Sequence, residues 1–378
     1  MSTLRELAGT RIDDVRVSAY EVPTATEQES DGTLIWDSTT AVVVEVSANG
    51  QTGLGYTYCD PSAGAVVESK LASVLEDADP LMPQQAWAQM QMATRQLGHD
   101  GVAAMAVSAV DVALWDLKAR LLGVCLADAL PRYRESVPIY GSGGFCDYTP
   151  EQLGEQVQGW MDDGFRSVKI KVGRDADADP ERVALVRSVA GPDVDVMVDA
   201  NGANNVPQAV EWAQRYHDEF GVIYFEEPVS SDDLAGLRYV RDHAPSGLAV
   251  AAGEYGWNLP YYQRMLDAGA VHILQADVTR CGGITNLLRI DGLCQARCLP
   301  FSAHCAPGIS AHACCAMETV LHIEYFFDHY RIEQLLFEGT LDPEQGLLTP
   351  DRSRPGLGLE LRREEAQQYH VPVPSSGG

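Results

Sequence analysis

Residues 167–173 read SVKIKVG, residues 195–202 DVMVDANG and residues 222–228 VIYFEEP. Each is an apolar, β-rich run closed by polar or glycine residues, the pattern of a buried strand with its turn. Between them lie stretches of helical periodicity, such as TPEQLGEQVQGWMDDG from Thr149 and VPQAVEWAQRYHDE from Val206, which carry Thr or Pro start signals. Five more runs continue the series: VPIYGSGG from Val137, LAVAAGE from Leu248, VHILQAD from Val271, LPFSAHC from Leu299 and HIEYF from His322. Strands alternating with helices imply a parallel sheet, and a repeat of roughly 27 residues is that of a closed (β/α) barrel. After the eighth run no clean amphipathic helix precedes the Pro- and Gly-rich segment RIEQLLFEGTLDPEQGLLTPDRSRPGLGLE, so the eighth helix is expected to be displaced.

The flanks read differently. Runs at Val15–Val22, Thr40–Val46 and Gly53–Tyr58 form a meander followed by helices, which makes residues 1–136 an α+β capping domain. Within it PTATEQESDGTLIWDSTT is polar and too long for a tight hairpin, so the stretch near 24–40 is expected to be a mobile lid. Residues 137–328 then hold the barrel, and 329–378 are expected to pack back on the cap. Of the 378 residues 46% are hydrophobic and 21% charged, an ordinary globular composition with room for a large core. The 27 Lys and Arg against 54 Asp and Glu leave a net charge of −27, which repels phosphate backbones and anionic lipid. Neither nucleic acid nor a membrane is an expected partner. The start MSTLRELAGTRIDD lacks the apolar stretch of a signal peptide, and a cytoplasmic location is expected. The nine Cys form no CxxC pair and are expected to be free thiols packed as small hydrophobes.

In a (β/α) barrel the reacting groups stand at the C-terminal ends of the strands. Here strand three ends at Asp199, strand four at Glu226 and strand five at Glu254. Three carboxylates converging on one rim repel one another and raise one another's pKa, and a hard divalent cation relieves the repulsion. Mg²⁺, with Mn²⁺ as a substitute, suits three oxygen ligands with positions left for a substrate. Glu227 is expected to point to the opposite face from Glu226 by strand alternation. Lys occurs only at positions 70, 118, 169 and 171. Lys169 and Lys171 lie i, i+2 on strand two and project together into the barrel mouth. Unlike Arg, a Lys crowded by a second cation can lose its proton, so one of the two is expected to act as a base while the other holds a substrate carboxylate. Opposite them, strand six ends at Asp277 and strand seven at His304, a pair that can fix the imidazole tautomer. The remaining eight His are expected to be structural. Bases on both sides of a cation suit removal of a proton from the carbon beside a carboxylate, followed by racemisation or epimerisation, β-elimination of water, or cycloisomerisation. A Schiff-base lyase or aldolase on Lys169 or Lys171, and a silent barrel that only binds sugar acids, are the readings from other classes.

These residues resemble the enolase superfamily and, within it, the mandelate racemase group. The helix AVSAVDVALWDLKARLLG and then KIK, VDANG, FEEP, AGE, ADVTRCGG and SAHCAPGISAH follow in family order across nearly the whole chain. The resemblance implies a modified TIM barrel, (β/α)7β, with an N-terminal α+β cap completed by the C-terminal segment. It implies Mg²⁺ on Asp199, Glu226 and Glu254, Lys171 as one acid/base with Lys169 beside it, and Asp277 with His304 as the opposing dyad. It also places Glu324, at the end of strand eight, near the substrate carboxylate, and Asn201 as a substrate contact. A cycloisomerase or dipeptide epimerase is expected to carry Lys near position 277 and no His–Asp pair, so the dyad favours a racemase or, above all, an acid-sugar dehydratase. A small-molecule carboxylate substrate and a symmetric homo-oligomer are further expectations. Cys125 and Pro131 depart from the family pattern, far from the chemistry.

Overall fold

In the computed structural model, which describes residues 7–374, the β-rich runs assemble into two main sheets. Residues 1–6 and 375–378, the outer ends of the expected capping and C-terminal units and the start of the leader reading, lie outside the described residues. The first sheet is antiparallel and joins Asp14–Pro23, Ser38–Ala48 and Gln51–Tyr58 in sequence order. His370–Val371 completes it at the far edge, with Ala19 opposite Val371 and Tyr20 opposite His370. Helix Val102–Leu122 lies across this sheet. The approach depends on Gly53 and Gly55, where a Cβ would stand 2.2 Å from the Ala113 carbonyl and 2.1 Å from that of Ala109. Only hydrogen fits there. The helix is buried nearly all round, and the polar residues on one of its faces, Ser108, Asp111 and Trp115, dock the cap on the barrel. Asp111 accepts the Thr285 N–H at 2.8 Å and its hydroxyl at 2.6 Å, Trp115 Nε1 donates to the same hydroxyl oxygen, and Ser108 Oγ accepts the Gly282 N–H.

The second sheet is the barrel. Val137–Gly143, Ser167–Lys171, Asp195–Asp199, Val222–Glu226, Ala249–Ala252, Ile273–Asp277, Phe301–His304 and Val320–Phe326 run parallel in chain order. The last pairs with the first, Ile323 opposite Ile139, which closes the ring. Tyr140, Met197, Tyr224, Ala251 and Ile273 pack together inside it as a floor beneath the mouth. Register then decides what stands above that floor. Lys171 lies opposite Asp199 and Asp199 opposite Glu226, and on the far side Asp277 lies opposite His304, so charged residues close five strands at the barrel mouth.

One expectation needs correction. A helix does follow the eighth strand directly, at Phe327–Leu336. It was hidden because its buried face carries Asp328, His329 and Glu333 beside Ile332 and Leu336, so it lacks an apolar stripe. This helix sits between the barrel mouth and the cap. Tyr56 OH donates to Glu333, Thr39 Oγ1 to Asp328, and Tyr58 stacks on His329 with ring centroids 3.5 Å apart. The stretch at 24–40 has local structure of its own. It contains a small hairpin, Glu29 opposite Trp36, whose turn is held by Asp31 Oδ1 accepting the N–H groups of Thr33 and Leu34. Ser30 accepts the Cys146 N–H and Arg174 donates to the carbonyls of Asp31 and Leu34, so the barrel loops grip the lid. All nine Cys are free, and among the described residues no helix is long and apolar enough to cross a membrane.

Candidate active site

The residues singled out from strand ends converge. Lys169 Nζ lies 2.6 Å from Glu226 Oε2, 2.8 Å from Glu324 Oε1 and 3.8 Å from Asp199 Oδ2. Lys171 Nζ lies 2.5 Å from Asp199 Oδ2. Across the mouth, His304 Nδ1 is 2.8 Å from Asp277 Oδ2, while Thr279 donates both its N–H and its hydroxyl to Asp277 Oδ1. That arrangement makes Nδ1 the donor and leaves Nε2 facing the mouth, 3.0 Å from Glu254 Oε2. Glu324 lies two residues before the end of its strand and receives the Ser142 hydroxyl on Oε1 at 2.6 Å. Asn201 donates its backbone N–H to Asp199 Oδ1, and its own Oδ1 is buried without a partner.

Asp199, Glu226 and Glu254 each bring one carboxylate oxygen within 4.8 Å of the others, all three buried. Glu226 Oε1 has no hydrogen-bond partner. A buried, all-oxygen trio with an orphaned acceptor fits a hard cation and would otherwise be costly. Burial, only partly offset by Lys169 and added to by Asp199 and Glu324, pushes the Glu226 carboxyl well above the usual range. Glu254 moves the other way: burial opposes its charge, but His304 and Lys171 outweigh it and hold it well below.

The lysines behave differently from the expectation that mutual repulsion lowers one of them. Burial disfavours both ammonium groups, yet Glu226 and Glu324 around Lys169, and Asp199 beside Lys171, hold both well above the ordinary lysine value. Carboxylates outnumber cations here, and that decides the sign. His304 is also shifted upward, well above the ordinary imidazole value: burial opposes its charge, and the neighbouring Cys305, Glu254, Glu324 and Asp277 more than compensate. Asp277 sits below its ordinary value because His304 and Arg280 outweigh its burial.

A cavity of about 440 Å³ opens above this constellation. Lys171, Asn201, Glu254 and His304 line it from the barrel, and Leu34, Trp36, Thr39 and Tyr58 from the cap. The sequence reading missed three features of the site. Glu227 follows Glu226 in a left-handed conformation, φ 36°, which turns it back among the acids rather than to the opposite face. Glu254, Asp199 and Glu226, added to its burial, push its carboxyl well up. His329 is one of the cavity walls and not a remote structural residue. Burial drops its pKa to about 3, so it is neutral. Arg280, one of two mouth arginines suited to a distal substrate carboxylate, reaches the cavity with Nε and Nη1 making no hydrogen bond and Nε 3.6 Å from Asp277 Oδ2, whereas the other, Arg174, is engaged by the lid. Cys305, read as a packing thiol, also faces the cavity, and its place directly after His304 was the signal available.

Residues 152–366 match the model of enolase C-terminal domain-like proteins, and residues 15–130 that of the mandelate racemase/muconate lactonizing enzyme N-terminal domain. A 3,6-anhydro-alpha-L-galactonate cycloisomerase from Streptomyces coelicolor is 31% identical, over 93% of this chain and 98% of its own. The solved structure of a mandelate racemase/muconate lactonizing enzyme-like protein from Rubrobacter xylanophilus superposes with a TM-score of 0.94 at 60% identity, covering 96% of this chain and all of that one. L-talarate/galactarate dehydratase from Salmonella typhimurium, solved with Mg and L-lyxarohydroxamate, superposes with a TM-score of 0.87 at 26% identity over 98% and 95% of the two chains. With both halves matched and the barrel closed around the same strand ends, this chain belongs to the mandelate racemase/muconate lactonizing enzyme family of the enolase superfamily.

Proposed function

We propose that this enzyme removes the α-proton of a sugar-derived carboxylate and eliminates the β-hydroxyl as water, giving a 2-keto-3-deoxy acid. The observation that carries the reading is the placement of Lys171 and the Asp277–His304 dyad around one cavity that Glu254, of the clustered Asp199, Glu226 and Glu254 trio, also lines. These three acids would hold Mg²⁺, which when bound supplies positive charge against the negative charge developing on the substrate carboxylate. The protein residues do the rest. Lys169, kept charged by Glu226 and Glu324, orients the carboxylate as a cation. Lys171, against whose charge Lys169 nearby works, takes the α-proton in its neutral form. The C–H electron pair first passes into the substrate carboxylate as an enolate, and then forms the C=C bond of the enol as the β C–O bond breaks. His304, protonated and steadied by Asp277, gives its proton to the departing hydroxyl, so that water leaves and the enol tautomerises to the ketone. Asn201 and Glu324 contact the substrate beside the two bases.

The test is a set of mono- and diacid sugars incubated with Mg²⁺-loaded protein in D₂O, read by proton NMR and by semicarbazone formation. A 2-keto product, lighter than its substrate by one water, is the expected result. The 31% identical cycloisomerase favours a second reading, intramolecular closure or opening on the same residues, in which product and substrate have equal mass. Deuterium exchange without either product indicates racemisation or epimerisation. Absence of exchange with every acid, or full turnover in EDTA, would overturn the proposal and return attention to a Schiff base, detectable by borohydride trapping.

A further inference from the structure

Beside the carboxylate trio stands a second cluster of different chemistry. Cys305 Sγ lies 3.3 Å from His304 Nε2 and 3.4 Å from Glu324 Oε2, and those two atoms are 3.4 Å apart. Three donors bound to one tetrahedral zinc, with bonds of about 2.3 Å to sulfur, 2.0–2.1 Å to nitrogen and 2.0–2.2 Å to oxygen, are separated by about 3.4–3.6 Å. The observed triangle is within about 0.3 Å of that on every side. We propose that Cys305, His304 and Glu324 form a second metal site, selective for a thiophilic divalent cation such as Zn²⁺ over Mg²⁺.

Each donor is already committed in the way such a site requires. His304 gives its Nδ1–H to Asp277, which fixes Nε2 as the coordinating nitrogen and supplies the carboxylate behind the imidazole that ligating histidines use. Glu324 has Oε1 occupied by Ser142 and Lys169, which leaves Oε2 as its donor. Cys305 adopts φ 52° and Ala306 φ 45°, a left-handed turn at the end of the strand that brings the thiol back alongside the imidazole of its own neighbour. His304 and Cys305 both line the cavity, so the fourth coordination position opens on it. The two neighbouring sites differ in softness: three carboxylates in one, sulfur and nitrogen with a single carboxylate in the other. When the ion binds, the Cys305 S–H bond breaks, its proton passes to solvent and the sulfur lone pair forms the bond to the metal. The same event releases the Nε2 proton of His304 to solvent and takes the lone pair it leaves. If His304 acts as proposed above, a thiophilic ion arrests turnover reversibly while Mg²⁺ remains on the trio.

Co²⁺ added to full-length protein in excess Mg²⁺ tests this without any substrate. The expected result is one equivalent bound with a sulfur-to-cobalt charge-transfer band in the near ultraviolet and intense tetrahedral visible bands. Zn²⁺ displaces them, they survive in Glu226→Gln, and they vanish in Cys305→Ser. Circular dichroism confirms that each variant is folded. Binding with only weak octahedral bands, or a sulfur band that persists in Cys305→Ser, overturns the proposal. A Zn²⁺-arrested enzyme restored by a chelator of higher zinc affinity adds the functional consequence. If no sugar acid is turned over, the spectra still decide the site.

Discussion

At the scale of single residues, the strand-end charges were legible because barrel geometry makes position do the work of conservation. Asp199, Glu226, Glu254, Lys169, Lys171, Asp277 and His304 stand where a strand-by-strand reading puts them. What escaped was the residue that follows. Glu227, Cys305 and Ala306 all have positive φ, and a left-handed turn after the last ladder residue cancels the alternation that sorts neighbours to opposite faces. Sequence shows no glycine there to announce it. The division of labour between the bases gives a sharp prediction. His304→Asn should cut keto-acid formation by about 10²- to 10⁴-fold while Lys171-dependent exchange of the α-proton with D₂O continues. Lys171→Ala should abolish both. NMR of a single sample reads the two rates, and loss of exchange in His304→Asn would reverse the roles.

At the scale of elements, the eighth helix was the least legible because its inward face serves polar partners. Glu333, pushed up to about 8 by burial, is held by Tyr56 and by the Gly308 N–H at the start of helix Pro307–Cys314. The lid leans on the same helix. Glu29, fully buried on the lid hairpin, has both oxygens unpartnered and is pushed up to about 8 by burial and by Asp328. Its folded-state pKa lies above the ordinary 4.5, so its contribution to lid docking is complete below that pH and fades as pH climbs through about 8. Hydrogen exchange at residues 24–40, corrected for intrinsic rate, should therefore quicken between about pH 6 and pH 9, and Glu29→Gln should remove most of that dependence. Equal exchange at both pH values would show that the lid does not sense Glu29. In the cap, Gly55→Ala places a methyl group against the Ala109 carbonyl. A cost of about 1–3 kcal/mol is expected from such overpacking, measurable as a lower melting midpoint.

For the molecule as a whole, composition and repeat length disclosed the barrel, whereas the joints between barrel and cap depend on single polar contacts that no periodicity reveals. Asp111 reaching Thr285 is of that kind, and Asp116, accepting the N–H groups of both Leu54 and Leu357, ties the C-terminal segment to the cap in the same way. A cation held by the trio binds only folded protein, so saturating Mg²⁺ should raise the melting midpoint. At 100 times its Kd the gain is about 2.7 kcal/mol, and Glu226→Gln should lose it. An unchanged midpoint in wild-type protein would exclude tight binding. The net charge of −27 predicts a separate rise with monovalent salt, shared by both proteins, as screening relieves self-repulsion. The pairing of His370–Val371 with Asp14–Pro23 bears on how the chain is made. During synthesis one strand of that sheet leaves the ribosome early and waits for a partner translated after the whole barrel. The cap is thus begun first and finished last, and removal of the closing strand would leave a folded barrel under a sheet with an open, adhesive edge.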